Sequence, residues 1–168
     1  IRLAQQRNKK LKQRIVVTVG LVCGQMKSTH FTDCIATLAD VKGEVTAVHY
    51  RGKSPDQPAS NYQYTFTTAD GNERKIYWNE GISEAWTNRW FTPSACNYCD
   101  DVFAECADVV CMDAWLPEYS RESGGTSLVL VRSAFVKKML GGGKDLSLHS
   151  IPVEKVIQSH AGVLAVKR

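Results

Sequence analysis

Four of the chain's six cysteines fall in one stretch, PSACNYCDDVFAECADVVC, Pro93 to Cys111. Cys96 and Cys99 stand there as C-x2-C. A thiolate is a deprotonated, polarisable donor suited to soft or borderline metals. Two cysteines at this spacing can bring both sulfurs to one metal centre around a tight turn, and a complete structural site takes four ligands. Cys106 and Cys111 are the nearest further thiols, but no second C-x2-C follows. Phe103, Cys106 and Ala107 can share one inward face, and Cys111 lies inside the apolar run ADVVCMDAW. Both cysteines are therefore expected to pack as small hydrophobes, ahead of a four-cysteine zinc site. Cys23 is the better third ligand, because Gly20 and Gly24 beside it permit close backbone approach to a ligand. Cys34 shares an i, i+3, i+4, i+7 face with Phe31, Ile35 and Leu38 and is expected in the core.

The chain is 168 residues long, about one domain, with 43% hydrophobic and 23% charged residues. No apolar run approaches the roughly 18 residues of a membrane span. The start, IRLAQQRNKKLKQR, has no apolar core of a secretory signal. Six cysteines without such a signal argue against a disulfide scaffold and for a cytoplasmic metal or redox protein. Residues 1–14 carry six Lys or Arg and no acid. They read as the end of a helix from a truncated upstream part, with a solvated basic face rather than a nucleic-acid site.

RIVVTVGLVC (14–23) reads as a buried strand, followed by a turn and a helix capped by Ser28 or Thr29. This places Cys23 at a strand's carboxyl end, where open α/β sheets bind ligands. EVTAVHYRG (44–52) is a second strand. Alternating residues on either side of Asp70-Gly71 predict an antiparallel hairpin. Residues 80–91 read as a short helix, and 107–115 and 124–133 as buried strands. SAFVKKMLGGG reads as a helix with Ser133 as its cap and Gly141 as its stop. LSLHSIPVEKVIQSH reads as a short strand and then a helix with Pro152 at its first position. The prediction is one α/β domain over residues 1–168, a mixed sheet with flanking helices and an inserted antiparallel hairpin.

Taken together, GLVCGQMKSTHF, FTPSACNYCDDVFAECADV, MDAWLPEY and GGTSLVLVRS resemble the coenzyme F-420 hydrogenase/dehydrogenase beta-subunit family, in its C-terminal region. The family also includes ferredoxin-dependent reductases of chlorophyll metabolism. The resemblance spans residues 14–140 and implies an oxidoreductase carrying FAD and a [4Fe-4S] cluster. It implies that Cys23, Cys96 and Cys99 are cluster ligands. A fourth cysteine is expected in a G-x-P-C segment upstream of the first strand, with Cys34 as the local alternative. Where the family often has Gly-Asp after the central strand, this chain has Met112-Asp113.

Within that implied function, Lys27 and Ser28 at a helix start suit a pyrophosphate, against a solvated lysine and an ordinary cap. Thr126 and Ser127 of GGTS can cradle a phosphate or flavin, against a plain turn. Asp113 suits a ribose or flavin edge, against a structural loop aspartate, and Arg132 a phosphate, against pairing with a surface acid. Trp90 and Trp115 are candidates for stacking on flavin, although aromatics at this density are more often core or rim. His30, His49, His149 and His160 show no metal spacing. The implied partners are a redox protein such as ferredoxin, hydrogenase-type subunits, or a deazaflavin or nicotinamide coenzyme. The competing function is a zinc-stabilised or cofactor-free interaction domain.

Overall fold

A computed structural model describes residues 1–167. In chain order the helices are α1 (Arg2–Arg7), α2 (Lys9–Arg14), α3 (Thr29–Leu38), α4 (Ser83–Thr87), α5 (Ala134–Gly141), α6 (Val153–Ser159) and α7 (Ala161–Lys167). The strands are β1 (Val19–Leu21), β2 (Val45–Gly52), β3 (Gln63–Thr68), β4 (Glu73–Tyr77), β5 (Val109–Asp113) and β6 (Ser127–Val131). The α/β class is as expected, with one mixed and one antiparallel sheet. The chain divides into two compact units. One comprises Ile1–Gly24, Asp100–Ala114 and the described residues from Ser127 on; the other comprises Gln25–Cys99 and Trp115–Thr126.

The first unit is built on a sheet of order β1-β5-β6, parallel between β1 and β5 and antiparallel between β5 and β6. Val110, Met112 and Leu128 of this sheet are buried. The expected buried strand over 14–23 shrinks to three residues, and Val19 and Leu21 are 65% and 71% exposed. Hydrophobic composition predicted burial, but β1 is a sheet edge, paired on one side only. Gly20 is required by packing: a Cβ there would lie 2.4 Å from the Ala104 Cβ and 3.1 Å from the Ala107 Cβ. The basic start is helical as read, but Asn8 breaks it. The Asn8 side chain accepts the Lys10 and Leu11 amides at 3.0 and 3.3 Å and so caps α2. Asp108 ties these parts together, accepting the amide and hydroxyl of Thr18 at 2.9 and 2.7 Å and the Arg2 guanidinium at 2.5 Å. Those Thr18 bonds, and then Arg2, hold the Asp108 carboxyl below the usual carboxylate range.

Two expectations in this unit change. No strand forms over 146–149, where Leu146 and Leu148 are half-exposed, and Pro152 caps α6 rather than starting it. Helix α5 stops at Gly142, one residue later than read, and Ser133 caps it without a side-chain bond.

His160, at the junction of α6 and α7, is 5% exposed, and its Nδ1 has no hydrogen-bond partner among the described residues. Its ring meets Phe103 edge-on with centroids 6.1 Å apart, and the preceding Ser159 hydroxyl donates to the Asp113 carbonyl at 3.2 Å. Burial pushes the imidazole below its ordinary value of 6.5, against smaller opposite pulls from the Val156 backbone and Asp113. The fold therefore prefers neutral His160. This contribution to stability is complete above the unfolded value and is lost as pH falls through the folded one. Unfolding free energy measured by urea titration should fall from pH 7.5 to 5.5, by at most about 1.4 kcal/mol per pH unit for this group. His160→Gln should flatten that slope, and an unchanged slope would count against the assignment.

The second unit packs α3 on the antiparallel sheet β2-β3-β4. Its core joins Phe31 and Ile35 of α3 to Tyr62, Tyr64, Phe66, Ile76, Ile82 and Ala85. Leu38, expected on the same helix face, is 49% exposed. The predicted hairpin is present. Gly71 takes φ +80° and its amide donates to the Thr68 carbonyl at 2.9 Å, while Asp70 accepts the Thr68 hydroxyl and the Asn72 side-chain amide. The helix expected over 80–91 is shorter. A π-type turn, Trp78–Ile82, precedes α4 and carries Gly81 at φ +113°, and the positive φ values of Arg89 and Phe91 keep the helix from continuing.

Candidate metal centre

The C-x2-C pair lies on a 3-10 turn, Ser94–Tyr98, that follows Pro93. The Cys96 amide closes that turn on the Pro93 carbonyl at 3.0 Å. Cys99 is exposed and Cys96 half-buried, and no disulfide joins any of the six cysteines. The Met26 amide donates to Cys96 Sγ at 3.4 Å. This donor set, two accessible thiols with a backbone N–H directed at one of them, fits half of a thiolate-ligated site.

The loop that carries the pair is held from the other side of the same unit. Lys27 donates to the Trp90 carbonyl at 2.9 Å, the Thr92 hydroxyl at 3.1 Å, Gln25 Oε1 at 3.2 Å and the Ala85 carbonyl at 3.5 Å. Its ammonium also lies over the rings of Phe31 and Trp86, 5.1 and 5.0 Å from their centroids. Burial lowers the Lys27 pKa and the nearby Arg89 lowers it further, while Cys96 pulls it up. Thr92 donates to Gln25 Oε1 at 2.6 Å, Gln25 donates to the Trp86 carbonyl at 2.8 Å, and the Ser28 amide donates to the Phe91 carbonyl at 2.9 Å. Residues 25–28 are thus bonded along the segment that leads into the cysteine turn.

Cys23 belongs to the first unit and stands just past β1, as expected. It is half-buried, and its amide donates to the Val102 carbonyl at 3.3 Å. A Cβ on Gly24 would meet Val163 at 3.3 Å. Cys34 is half-buried on α3. Cys106, expected in the core, is exposed: residues 103–107 form an open turn rather than a helix with an inward face. Cys111 is half-buried on β5, in register with Leu21 and Val129. Among the described residues, no three His, Cys, Asp or Glu side chains gather in a metal-holding group.

Several of the residues expected to cradle a phosphate or flavin bond to protein groups. Arg132 donates to the carbonyls of Phe103, Ala104 and Ala107 at 3.1 to 3.2 Å, so it closes the 103–107 turn. The Lys27 ammonium is occupied as described, and the Thr126 hydroxyl is given to Glu122. Ser127 and Asp113 face one another at one end of the β5–β6 pair, while Arg132 follows the opposite end. Lys27, Ser28 and Thr126 belong to the second unit, and Asp113, Ser127 and Arg132 to the first. Lys27, Arg132 and Thr126 are thus each bonded to protein partners. Trp90 and Trp115 are each a little under half exposed. Sequence reasoning missed Gln25 and Thr92, which lie 67 residues apart and carry no motif. It also passed over His160, whose burial no local pattern signals.

The fold is an α/β architecture with an accessible C-x2-C turn. A family model for the C terminus of the coenzyme F420 hydrogenase/dehydrogenase beta subunit matches residues 1–151. The chain belongs to that family of oxidoreductase subunits. No curated protein sequence matches it. One similar solved structure is a chain of the F420-reducing [NiFe] hydrogenase complex from Methanosarcina barkeri, studied as a xenon derivative. That match has 14% identity and a TM-score of 0.45, and it covers 98% of this chain and 56% of the other. The chain therefore spans a little over half the length of that relative. Among the described residues, no helix is long and apolar enough to cross a membrane.

Proposed function

We propose that this chain is the C-terminal module of an electron-transfer oxidoreductase, with Cys96 and Cys99 as two ligands of an iron–sulfur cluster and Cys23 as a third. Family membership supports the reaction class. The observation that carries the ligand assignment is the Met26 amide directed at Cys96 Sγ in an accessible C-x2-C turn. A core cysteine needs no such donor, whereas N–H bonds to a ligating sulfur are one of a protein's means of setting a cluster's potential. When bound, the cluster takes up and releases single electrons. The chain's own contribution is to hold two thiolates on a short turn and to keep the Cys99 side open to solvent. The fourth ligand comes from outside the thiols named, or from Cys34. The resemblance also implies FAD. Substrate-side partners of the proposed protein are a hydride-carrying coenzyme or a redox subunit, and its proposed location is the cytoplasm.

The test is metal and flavin analysis of protein expressed from the complete gene and purified without oxygen. Iron with acid-labile sulfide and broad visible absorption is expected, and flavin in the same sample would support the FAD assignment. Zinc as the sole metal would favour the interaction-domain alternative. Colourless protein with neither iron nor flavin would overturn the oxidoreductase reading.

A further inference from the structure

We infer that Lys27 is a positioning residue for the sulfur of Cys96, acting through the backbone that it anchors. The inference rests on the proposal that Cys96 ligates a cluster. A lysine ammonium has three donors, and those of Lys27 face four acceptors: Trp90 O, Thr92 Oγ1, Gln25 Oε1 and Ala85 O. Two of these acceptors lie on the segment that runs from α4 toward the cysteine turn, one lies in α4 itself, and the fourth is two residues before Lys27. The rings of Phe31 and Trp86 lie against the cation, 5.1 and 5.0 Å from it. Thr92 accepts from Lys27 and donates to Gln25, so residues 25 and 27 are both tied to residue 92.

Met26 lies between those two anchors, and its side chain is 64% exposed. Its amide donates to Cys96 Sγ. Arg89 and Phe91 hold φ near +60° without being glycine, a conformation costly for L residues that the surrounding bonds must compensate. The Trp90 and Phe91 carbonyls produced by this arrangement are the ones taken by Lys27 and the Ser28 amide. The cation thus fixes a strained loop against residues 25–28, and the product of that fixation is one N–H···S bond. Loss of the bond disfavours the more electron-rich, reduced cluster.

The experiment compares wild type, Lys27→Met and Thr92→Val, each expressed anaerobically from the complete gene. It follows cluster reduction by redox titration, iron content, and amide hydrogen exchange of residues 90–99. Lys27→Met should retain iron, speed exchange in residues 90–99 about tenfold, and shift the oxidised-to-reduced ratio at fixed potential about tenfold toward oxidised, equivalent to ~59 mV for one electron. Thr92→Val leaves every charge in place and should move both readouts in the same direction. Unchanged ratio and exchange in both variants overturn the inference. A shift in Lys27→Met with none in Thr92→Val also overturns it, because the effect is then that of charge through space. If Lys27→Met does not fold, Thr92→Val decides. Wild type without iron defeats the cluster proposal instead, and the exchange measurement then decides alone whether Lys27 holds the loop.

Discussion

Replacement of Cys96 or Cys99 by serine is expected to strip the protein of its iron while leaving the fold intact. Substitutions in the shell around metal ligands already cost about 10- to 100-fold in metal affinity, so loss of a ligand should cost at least that much. Serine keeps the shape but offers a hydroxyl that stays protonated, a poor partner for a soft metal. The pair sits on a surface turn, Ser94–Tyr98, in which Cys99 is exposed and no residue is buried. The change in unfolding free energy for Cys99→Ser should therefore stay within about 0.5 kcal/mol. Cys106→Ser is the matched comparison. It is exposed, ten residues beyond Cys96, and has no place in the proposed ligand set. Iron and sulfide analysis alongside urea unfolding checks all three variants. Iron retained at wild-type levels in both Cys96→Ser and Cys99→Ser would remove the pair from the site, and an equal loss in Cys106→Ser would show that the assay does not discriminate.

The largest effect on stability is expected at Phe66. This residue lies in the middle of β3, opposite Val48 on one side and Arg74 on the other, and none of its surface is exposed. It joins α3, through Phe31 and Ile35, to the sheet. Phe66→Ala removes a whole ring from a packed site and should cost about 3–5 kcal/mol, from lost transfer energy and the cavity left behind. Tyr98→Ala, at a residue 89% exposed, should cost less than about 0.5 kcal/mol. Urea unfolding at constant slope measures both. A loss under 1 kcal/mol at Phe66 would mean that the core closes around the gap, and the assignment of Phe66 as the centre of this unit would fail.

Several parts of the fold were readable from short stretches of sequence. Asp70-Gly71 marked its hairpin because the turn needs a residue tolerant of positive φ beside a side chain that can bond the local backbone, and both are adjacent in the chain. The apolar run around Val110 marked β5, and the four motif segments marked the family. The two-cysteine spacing marked the turn that carries Cys96 and Cys99. Each of these signals is carried by neighbouring residues, whose conformational preferences act locally.

Composition misled where burial depended on a partner. RIVVTVGLVC has the residues of a central strand, yet β1 is an edge strand whose Val19 and Leu21 remain exposed. Cys106 was placed inward on the assumption of a helix that the open turn at 103–107 replaces. Lys27 could serve a phosphate or lie solvated, and Arg132 a phosphate or a surface acid, and the structure gives both to backbone carbonyls. A side chain's chemistry says what it can bind, but not which acceptors the fold will bring within reach.

The sequence by itself determined the α/β class, the hairpin, the family and the C-x2-C spacing. The tertiary structure alone decided that the Met26 amide meets Cys96 across 70 residues and that Lys27 reaches Thr92 across 65. The physical reason is that a hydrogen bond between distant segments is set by how a whole unit packs around its core, and nothing in either segment records its partner.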